Sequence, residues 1–202
     1  MKIAIIGSGN VGGALAKALR RAGHAVTFGA RAPDTARTDE KSISEAVGHA
    51  DAAILAIPFA AAADVIAAAG GFVGKVLIDA TNPIGKTEFG PGLTIGFDSS
   101  GAETIAAAAP AAKVFKTFNQ TGFENMADAT VFKTPPVMFV VSDDEAAKPL
   151  VLQLVSDAGF EAIDAGKLHA ARLIEPLAML WIEQGRFRGM GPDFAFTLQR
   201  KV

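Results

Sequence analysis

Three glycines follow the first apolar run of the chain at a spacing that favours phosphate binding. Ile3 to Ile6 forms that run, and residues 7–12 read Gly7-Ser8-Gly9-Asn10-Val11-Gly12. The pattern G-x-G-x-x-G between a strand and a helix is typical of a dinucleotide-binding turn. The first glycine permits the tight turn, the second lets the backbone approach a pyrophosphate, and the third lets helix and strand pack closely. We therefore expect residues 7–12 to bind a dinucleotide, with the helix amino terminus facing its phosphates.

The residues at the end of the second predicted strand indicate which dinucleotide is bound. A carboxylate at this point would bond both ribose hydroxyls of NAD and would repel a 2′-phosphate. The chain instead reads Gly29-Ala30-Arg31. Because the Arg31 guanidinium can donate two hydrogen bonds to a phosphate and stack on the adenine, we predict NADP as the cofactor. Thr35 and Arg37 could add further contacts to the phosphate.

Two alternatives stay open at this position. Asp34 lies about twenty residues past the glycines, which is the usual distance of the acid that binds the ribose. Pro33, however, places Asp34 in the loop beyond the strand, where the geometry for ribose binding is poor. In the second alternative, Arg31 is an ordinary solvated surface charge.

Apolar runs and helical patterns alternate along the chain, which is typical of an α/β fold with a doubly wound parallel sheet of the Rossmann type. Further strands are predicted at Ala25–Phe28, Ala52–Ile57, Val76–Ala80, Val114–Phe118, Val137–Val141 and Glu161–Ile163, with loops from Pro83 to about Ser99 and from Asn119. Residues 1–202 are long enough for one domain. We predict a single NADP-binding domain, in which a short α/β extension from about residue 120 completes the acceptor site.

The carboxyl ends of parallel strands meet at one edge of the sheet, where ligands bind. Pro58 and Phe59 are expected to border the adenosine and the nicotinamide ribose. Asn82 and Asn119 carry amides suited to the ribose or the carboxamide. Each could equally be an ordinary loop residue, and Asn119 could stabilise its own turn. The residues predicted at this edge are Ile57-Pro58-Phe59, Thr81-Asn82-Pro83, Asn119-Gln120 and Gly166-Lys167.

The composition limits the proton-transfer chemistry that the chain can perform. It contains no tyrosine, no cysteine and three histidines, so a tyrosine acid and a thiolate nucleophile are excluded. No histidine cluster has the spacing of metal ligands, and we expect no metal site. His169 begins a helix predicted near the site and is a weak catalytic candidate, with a structural or surface role as the alternative. Hydride transfer to a flavin-like ring needs little protein acid, because the ring delocalises its own charge.

Charge and hydropathy patterning indicate which partners to expect. A net charge of −2 gives no electrostatic reason to expect nucleic acid or an anionic membrane as partner. The chain begins directly with a predicted strand, and no long uncharged apolar run follows. We therefore expect a cytoplasmic protein that binds neither a membrane nor nucleic acid.

Several segments resemble the family of NADP oxidoreductases that use the deazaflavin coenzyme F420, and the similarity extends over nearly the whole chain. They are residues 7–31, 50–58 and 79–83 and, as in small bacterial members, residues 116–119, 164–166 and 171–180. The resemblance implies NADP held by the glycine turn and by a Gly-Ser/Thr-Arg tripeptide. This tripeptide is Gly29-Ala30-Arg31 here. Ala30 lacks the hydroxyl, so one phosphate ligand is missing and we expect the preference for NADP over NAD to be weakened.

The resemblance also implies a reaction, although not a particular acceptor. Hydride would pass between the nicotinamide and an F420-type deazaflavin or a flavin (FMN or FAD) at the carboxyl side of the sheet. Related domains serve flavin-dependent metal-ion reductases. We expect an NADPH-dependent oxidoreductase with a small-molecule acceptor. The acceptor could dock near Gly185–Gly189, where Arg186 and Arg188 flank Phe187, and a solvated tail is the alternative for this segment.

The sequence is also compatible with two other functions, and the family resemblance implies a homodimer. An imine or carbonyl (hydroxyacid-type) reductase has a similar first domain, but such enzymes usually add a long helical domain, and the last part of this chain still alternates strand and helix. A non-catalytic NADP-binding sensor would equally lack acid–base side chains. A homodimer is the family expectation, to which Leu177, Leu180 and Trp181 could contribute unless they belong to the core.

Overall fold

The computed structural model describes residues 1–201 as a central sheet covered by helices, with a separate hairpin. Within these residues the strands are β1 Lys2–Ile6, β2 Ala25–Ala30, β3 Glu40–Ser42, β4 Ala52–Leu55, β5 Val76–Asp79, β6 Ile84–Thr87, β7 Gly90–Leu93, β8 Lys113–Lys116, β9 Val137–Ser142 and β10 Glu161–Asp164. The α-helices are α1 Asn10–Arg21, α2 Ile43–Gly48, α3 Ala62–Ala68, α4 Gly101–Ala108, α5 Phe123–Ala127, α6 Lys148–Asp157 and α7 Ala171–Ile182. A single π-turn, Glu183–Phe187, extends α7.

The sheet has the strand order β10-β9-β8-β5-β4-β1-β2-β3. The six strands from β8 to β3 pair in parallel, which confirms the predicted Rossmann-type α/β fold. Every residue of β4 and β5 is buried, because helices cover both faces of a doubly wound sheet. The chain order reverses between β1 and β4. Ligands bind at such a switch point in open α/β sheets, and the glycine turn follows β1 at this point.

The last two strands run in the opposite direction to the rest of the sheet. β9 pairs antiparallel with β8, and β10 pairs parallel with β9. β9 thus starts at the carboxyl edge of the sheet and runs back along β8, with Val141 opposite Lys116 and Ser142 opposite Phe115. The carboxyl end of β10 therefore lies at the opposite edge, where Leu168 shares a pocket with Lys113, the first residue of β8. The prediction that Gly166-Lys167 lies at the ligand-binding edge was wrong.

Alternate side chains of the inner strands form two cores, one on each face of the sheet. Ile3 and Ile5 of β1 pack in the core that α1, α5 and α6 cover. Ala4 and Ile6 of the same strand belong to the core that α2, α3, α4 and α7 cover. The two cores hold the sheet rigid, so its carboxyl edge can present loop residues in fixed positions.

Local sequence signals identified some elements and missed others. The sequence Ser42-Ile43-Ser44-Glu45 has the spacing of a capping box, and this box is present at the start of α2, with the Ser42 hydroxyl accepting from the Glu45 amide. The predicted loop after Pro83 contains the β6–β7 hairpin, in which glycines weaken the strand pattern. The predicted loop after Asn119 contains α5, which is too short to show a helical period. No helix within residues 1–201 is long and apolar enough to span a membrane.

The segment after α7 packs against the domain. The Trp181 indole N–H donates to the Phe194 carbonyl (2.9 Å), and the two rings stack with centroids 5.2 Å apart. The Asn125 amide donates to the Pro192 and Phe194 carbonyls, and the Val137 amide donates to the Phe196 carbonyl. Trp181 is thus a core residue of its own chain, and the segment is not a solvated tail.

Candidate functional site

Two glycines of the glycine turn are required by its backbone geometry. Gly7 has φ +105°, a conformation that L side chains rarely adopt, and a Cβ there would lie 2.5 Å from the Ala56 carbonyl oxygen. A Cβ on Gly12 would lie 1.9 Å from the Gly7 carbonyl oxygen. Gly7 therefore shapes the turn, and Gly12 lets α1 pack closely against it.

Gly9 differs from both, because a Cβ there would meet nothing within 4 Å. It is exposed at the start of α1, where no side chain caps the helix. The first amides of a helix have no partners within it, and the first hydrogen bond here runs from the Gly13 amide to the Gly9 carbonyl. The open space at Gly9 is thus next to amides that can bind a phosphate, and the protein itself does not require glycine at this position.

A pocket of about 290 Å³ joins the glycine turn to the end of β4. Its lining includes the predicted residues Gly9, Asn10, Val11, Ile57 and Pro58, together with Ala56 and Ala80, which the sequence reasoning missed. Both alanines directly follow buried strands, and this position in the sequence could have predicted that they line the pocket. Phe59 does not line this pocket. It lies instead beside Pro83, where a Cβ on Gly101 would be 3.1 Å from both side chains.

The two arginines at the end of β2 are in different environments. Arg31 is exposed and makes no hydrogen bond or ion pair with any other residue of 1–201. Arg37 pairs with Glu40 (2.8 Å) and Asp39 (3.2 Å), and its guanidinium lies 5.0 Å from the Phe28 ring centroid. Arg31 is therefore the cation that is available to a ligand, whereas Arg37, predicted as an additional contact, is engaged within the protein.

The acidic residues near Arg31 are also engaged. Asp34, the alternative ribose acid, accepts a hydrogen bond from the Ala36 amide (2.9 Å) and so stabilises its own turn. A hydrogen bond from Arg20 (2.7 Å) holds the pKa of Asp39 below its usual value. Neither carboxylate occupies the position at the end of β2 from which an acid would repel a 2′-phosphate.

Two asparagines at the carboxyl edge bond each other. The Asn82 side-chain amide donates to the Asn119 backbone carbonyl (3.0 Å), and the Asn119 amide donates to Asn82 Oδ1 (3.0 Å). Gln120 donates to Asn119 Oδ1 (3.2 Å) and is fixed by the backbone of Phe139. Each asparagine amide keeps one N–H free for a ligand. The structure thus brings together the two predicted residues in one fixed pair.

A charged cluster that the sequence reasoning missed lies beneath this pair. Lys116 Nζ is 2.9 Å from Asp79 Oδ2 and 3.2 Å from Glu175 Oε1, and the three side chains are almost completely buried. Lys116 also donates to the Thr81 carbonyl. Asp79 and Lys116 end neighbouring strands, which was the available signal. Glu175 is far from both in the sequence, and no spacing rule connects it with them.

All three histidines lie at the amino edge of the sheet, away from the glycine turn. His24 directly precedes β2 and bonds Asp157 (3.0 Å), and His49 precedes β4. His169 follows β10, whose carboxyl end lies at the amino edge because β10 runs against β8. The hypothesis that His169 lies near the site was therefore wrong. No group of three or more possible metal ligands occurs within residues 1–201.

The segment Gly185–Gly189 has carboxylate partners for both arginines. Arg186 bonds Glu124 (2.8 Å), and Arg188 bonds Glu183 (2.7 Å). Phe187 is half exposed. The two arginines that flank Phe187 were the reason for placing the acceptor at this segment, and their pairing with Glu124 and Glu183 removes that reason.

Comparison with known proteins shows the family of the chain. A family model described as NADP oxidoreductase, coenzyme F420-dependent, matches residues 2–83. The crystal structure of a candidate F420-dependent NADP-reductase from Arthrobacter sp. FB24 is 31% identical, covers 99% of this chain and 100% of its own, and has a TM-score of 0.88. The chain belongs to the coenzyme F420-dependent NADP oxidoreductase family. This membership confirms the resemblance seen in the sequence and supports NADP(H) as the cofactor.

Two other similar proteins are named for different activities. The metalloreductase STEAP3 of Rattus norvegicus is 28% identical over 192 residues, which are 89% of this chain. The chain spans only 37% of the length of STEAP3. A reductive aminase from Aspergillus terreus, solved with NADPH4, is 22% identical, with a TM-score of 0.68 over 93% of this chain and 62% of its own. The last similarity shows the fold alone.

Proposed function

We propose that this chain is an NADPH-dependent oxidoreductase that transfers hydride between NADP(H) and a deazaflavin or flavin acceptor. The observation that carries this proposal is the arrangement around β1 and β2. The glycine turn opens at the switch point of the sheet, and Arg31, directly after β2, has no side-chain partner among residues 1–201. This arrangement suits a dinucleotide with a 2′-phosphate, because one end binds its pyrophosphate and the other its third phosphate.

The residues of the site fit NADP(H) along its whole length. Asn10 and Val11 supply amides in the first turn of α1, with Ser8 just before it, and the open space at Gly9 would allow a pyrophosphate to reach them. Arg31 would bond the 2′-phosphate without help from Ala30, which has no hydroxyl. Ile57 and Pro58 would border the adenosine and the nicotinamide ribose, as they line the pocket next to Gly9.

The carboxyl edge would position the nicotinamide. When bound, NADPH supplies a hydride from its nicotinamide C4. The free N–H groups of Asn82 and Asn119 would bond the carboxamide. Residues of the extension after about residue 120 would complete the acceptor site. Holding two rings at near-attack distance can supply much of the barrier reduction.

The position of the histidines favours an acceptor that needs no protein acid. All three lie at the opposite edge of the sheet, and the chain has no tyrosine. Lys116, Asp79 and Glu175 lie at the correct edge but are buried. A flavin or deazaflavin accepts hydride at a ring atom and exchanges its proton at a heteroatom with solvent, whereas a carbonyl oxygen needs a donor held against it.

A homodimer is part of the same proposal. Leu180 and Leu173 on α7 are 49% and 74% exposed, so their side chains are available to a second copy. Trp181, in contrast, is buried within its own chain. We expect Leu173→Glu combined with Leu180→Glu to produce monomers, and the mass in solution, measured by light scattering, tests this expectation.

The test of the function is anaerobic oxidation of NADPH by the purified protein with one acceptor at a time. We expect oxidation with coenzyme F420, FMN or FAD and none without an acceptor. Because STEAP3 is a metalloreductase, ferric salts are added with and without flavin, and we expect ferric reduction only with flavin. Reduction of an imine or a ketone without flavin would favour the imine or carbonyl reductase. Tight NADPH binding with no acceptor reduced would favour a non-catalytic sensor.

A further inference from the structure

Two neighbouring strands end in a buried ion pair directly beneath the proposed nicotinamide site. Asp79 is the last residue of β5 and Lys116 the last of β8, and the two residues are register partners in the sheet. The carboxylate and the ammonium are 2.9 Å apart, and both side chains are fully buried. The pair therefore links the two strands at the point where each turns into a loop.

A third charge connects this pair to two helices. Glu175 of α7 lies 3.2 Å from the Lys116 ammonium and accepts hydrogen bonds from the Gly101 and Ala102 amides (2.8 and 3.0 Å). These amides belong to the first turn of α4, where a carboxylate is stabilised. One lysine thus holds two carboxylates that come from β5 and α7, with α4 attached through Glu175.

The cluster has a specific effect on the backbone of Thr81. Lys116 donates to the Thr81 carbonyl, while Asp79 Oδ1 accepts from the Thr81 amide (2.9 Å). Thr81 is therefore fixed through both of its backbone polar groups. A buried ion network seldom adds more stability than apolar side chains of the same volume would. What apolar side chains cannot supply is this fixed position of the peptide that leads into Asn82.

The loop after Lys116 is constrained as well. Phe118 is fully buried and has φ +59°, a left-handed conformation that is unfavourable for a residue other than glycine. Strained backbone of this kind persists only where the surroundings fix it, and it occurs often at functional sites. It places Asn119 opposite Asn82, so the two loops meet in the asparagine pair.

We propose that Lys116 is a positioning residue for the nicotinamide end of the cofactor. It does not touch the cofactor. It fixes Thr81, and through Thr81 the orientation of Asn82 and of the Asn82–Asn119 pair toward the carboxamide. This inference rests on the proposed binding of NADP(H). It assigns a role to a buried charge that the hydride-transfer proposal does not use.

The test separates the two ends of the cofactor. Adenosine 2′,5′-bisphosphate carries the adenosine half of NADPH but no nicotinamide. In Lys116→Met we expect NADPH affinity to fall by about tenfold, the effect of one to two lost hydrogen bonds, while the affinity for the bisphosphate stays unchanged. The emission of bound NADPH should also move toward that of the free cofactor. Both affinities are measured by calorimetric titration.

Two further variants make the result decisive. Lys113→Met changes the other lysine of β8, at the opposite edge, and should leave both affinities unchanged. Lys116→Met leaves two buried carboxylates unpaired, so the triple variant Asp79→Asn, Lys116→Met, Glu175→Gln removes all three charges and is expected to fold. It still lacks the bond to the Thr81 carbonyl and should show the same selective loss.

The possible outcomes distinguish this inference from the proposed function. A folded triple variant that binds NADPH as tightly as the parent would show that the cluster is merely structural. Equal losses for NADPH and the bisphosphate would also overturn the positioning role. A parent protein that binds neither compound would contradict NADP(H) binding itself, and this inference with it.

Discussion

Arg31 and Arg37 lie on the same loop after β2, but only Arg37 is bound by carboxylates. Glu40 and Asp39 hold its guanidinium, and the Phe28 ring lies beneath it. Arg31 has no such partner within residues 1–201. A ligand phosphate would therefore meet a free cation at Arg31 and a neutralised one at Arg37. We therefore expect Arg31 to bind the ligand and Arg37 to stabilise the fold. Variants of these two residues form a matched test and control.

Arg31→Ala should weaken NADPH binding selectively. We expect a loss of about 1.5–3 kcal/mol, the range for a hydrogen bond to a charged group, which is roughly tenfold to a hundredfold in affinity. NADH has no 2′-phosphate, so its affinity should hardly change. Calorimetric titration with both cofactors measures the two effects. Arg37→Ala is the control and should lower thermal stability without changing the ratio of the two affinities. Equal losses of NADPH and NADH in Arg31→Ala would contradict a phosphate contact.

Gly9→Ala should abolish cofactor binding without unfolding the protein. Apart from Gly9 itself and its two chain neighbours, a Cβ at Gly9 meets no atom of residues 1–201 within 4 Å, so the variant should melt close to the parent temperature. The added methyl group would, however, occupy the space through which a pyrophosphate reaches the α1 amides. Thermal melts with and without NADPH measure both properties, because bound cofactor raises the melting temperature.

Gly13→Ala is the matched control for this prediction. Gly13 also has free space around its Cβ position, but it lies one turn into α1. Alanine in a helix interior is more favourable than glycine by about 1 kcal/mol, so this variant should be slightly more stable and should bind NADPH normally. Normal NADPH binding by Gly9→Ala would place the pyrophosphate elsewhere.

The sequence predicted the glycine turn and the inner strands because these signals are local. A buried strand, however, has the same apolar run whichever way it points, so periodicity could not show that β9 and β10 run backwards. That direction depends on the connection after β8, where α5 was too short to recognise. His169 and Gly166-Lys167 were misplaced for this single reason.

Some contacts of charged residues could be predicted from the sequence, and others could not. Arg37 and Glu40 are three residues apart, so their ion pair had a local signal that could have been read. The cluster around Lys116 joins residues from β5, β8 and α7. The positions of Asp79 and Lys116 at strand ends gave a signal for that pair, but only the folded chain brings Glu175 to them.

Acid should weaken the contact between α4 and α7. Arg172 donates two hydrogen bonds to Glu103 (2.7 and 2.9 Å), and they hold the pKa of Glu103 below its usual 4.5. A carboxyl with a lowered pKa in the folded state stabilises it above its unfolded pKa and loses that effect as the pH falls through the folded value. The parent should therefore exceed Glu103→Gln in unfolding free energy at pH 7, and the difference should shrink below about pH 4.5.

Urea unfolding of both proteins across this pH range measures the difference. Glu88→Gln serves as the control, because Glu88 is exposed on the β6–β7 hairpin and has no ion-pair partner within residues 1–201. The free energy of unfolding of Glu88→Gln should differ little from that of the parent at every pH. A Glu103→Gln difference that stays constant from pH 7 to pH 3 would show that the carboxylate charge does not contribute to the contact.

His169→Ala should leave turnover nearly intact. His169 is exposed and follows β10, so it lies at the edge of the sheet opposite the glycine turn. General acid–base catalysis contributes about 10²–10⁴-fold, and we expect kcat with a flavin or deazaflavin to stay within about tenfold of the parent value. Asn82→Ala is the positive control at the carboxyl edge, where we expect NADPH binding and turnover to fall together.

The pH dependence of His169→Ala gives the sharper test. A required histidine titrates between about pH 6 and 8, so its removal would eliminate one limb of the pH–rate profile. We expect the profiles of variant and parent to coincide, because the proton of a reduced flavin-like ring exchanges directly with solvent. A roughly thousandfold loss of kcat with one limb missing would show that His169 handles a proton. Since His169 lies at the edge of the sheet opposite a nicotinamide bound at the Asn82–Asn119 pair, that result would require a different binding mode, and it would favour a carbonyl or imine reductase.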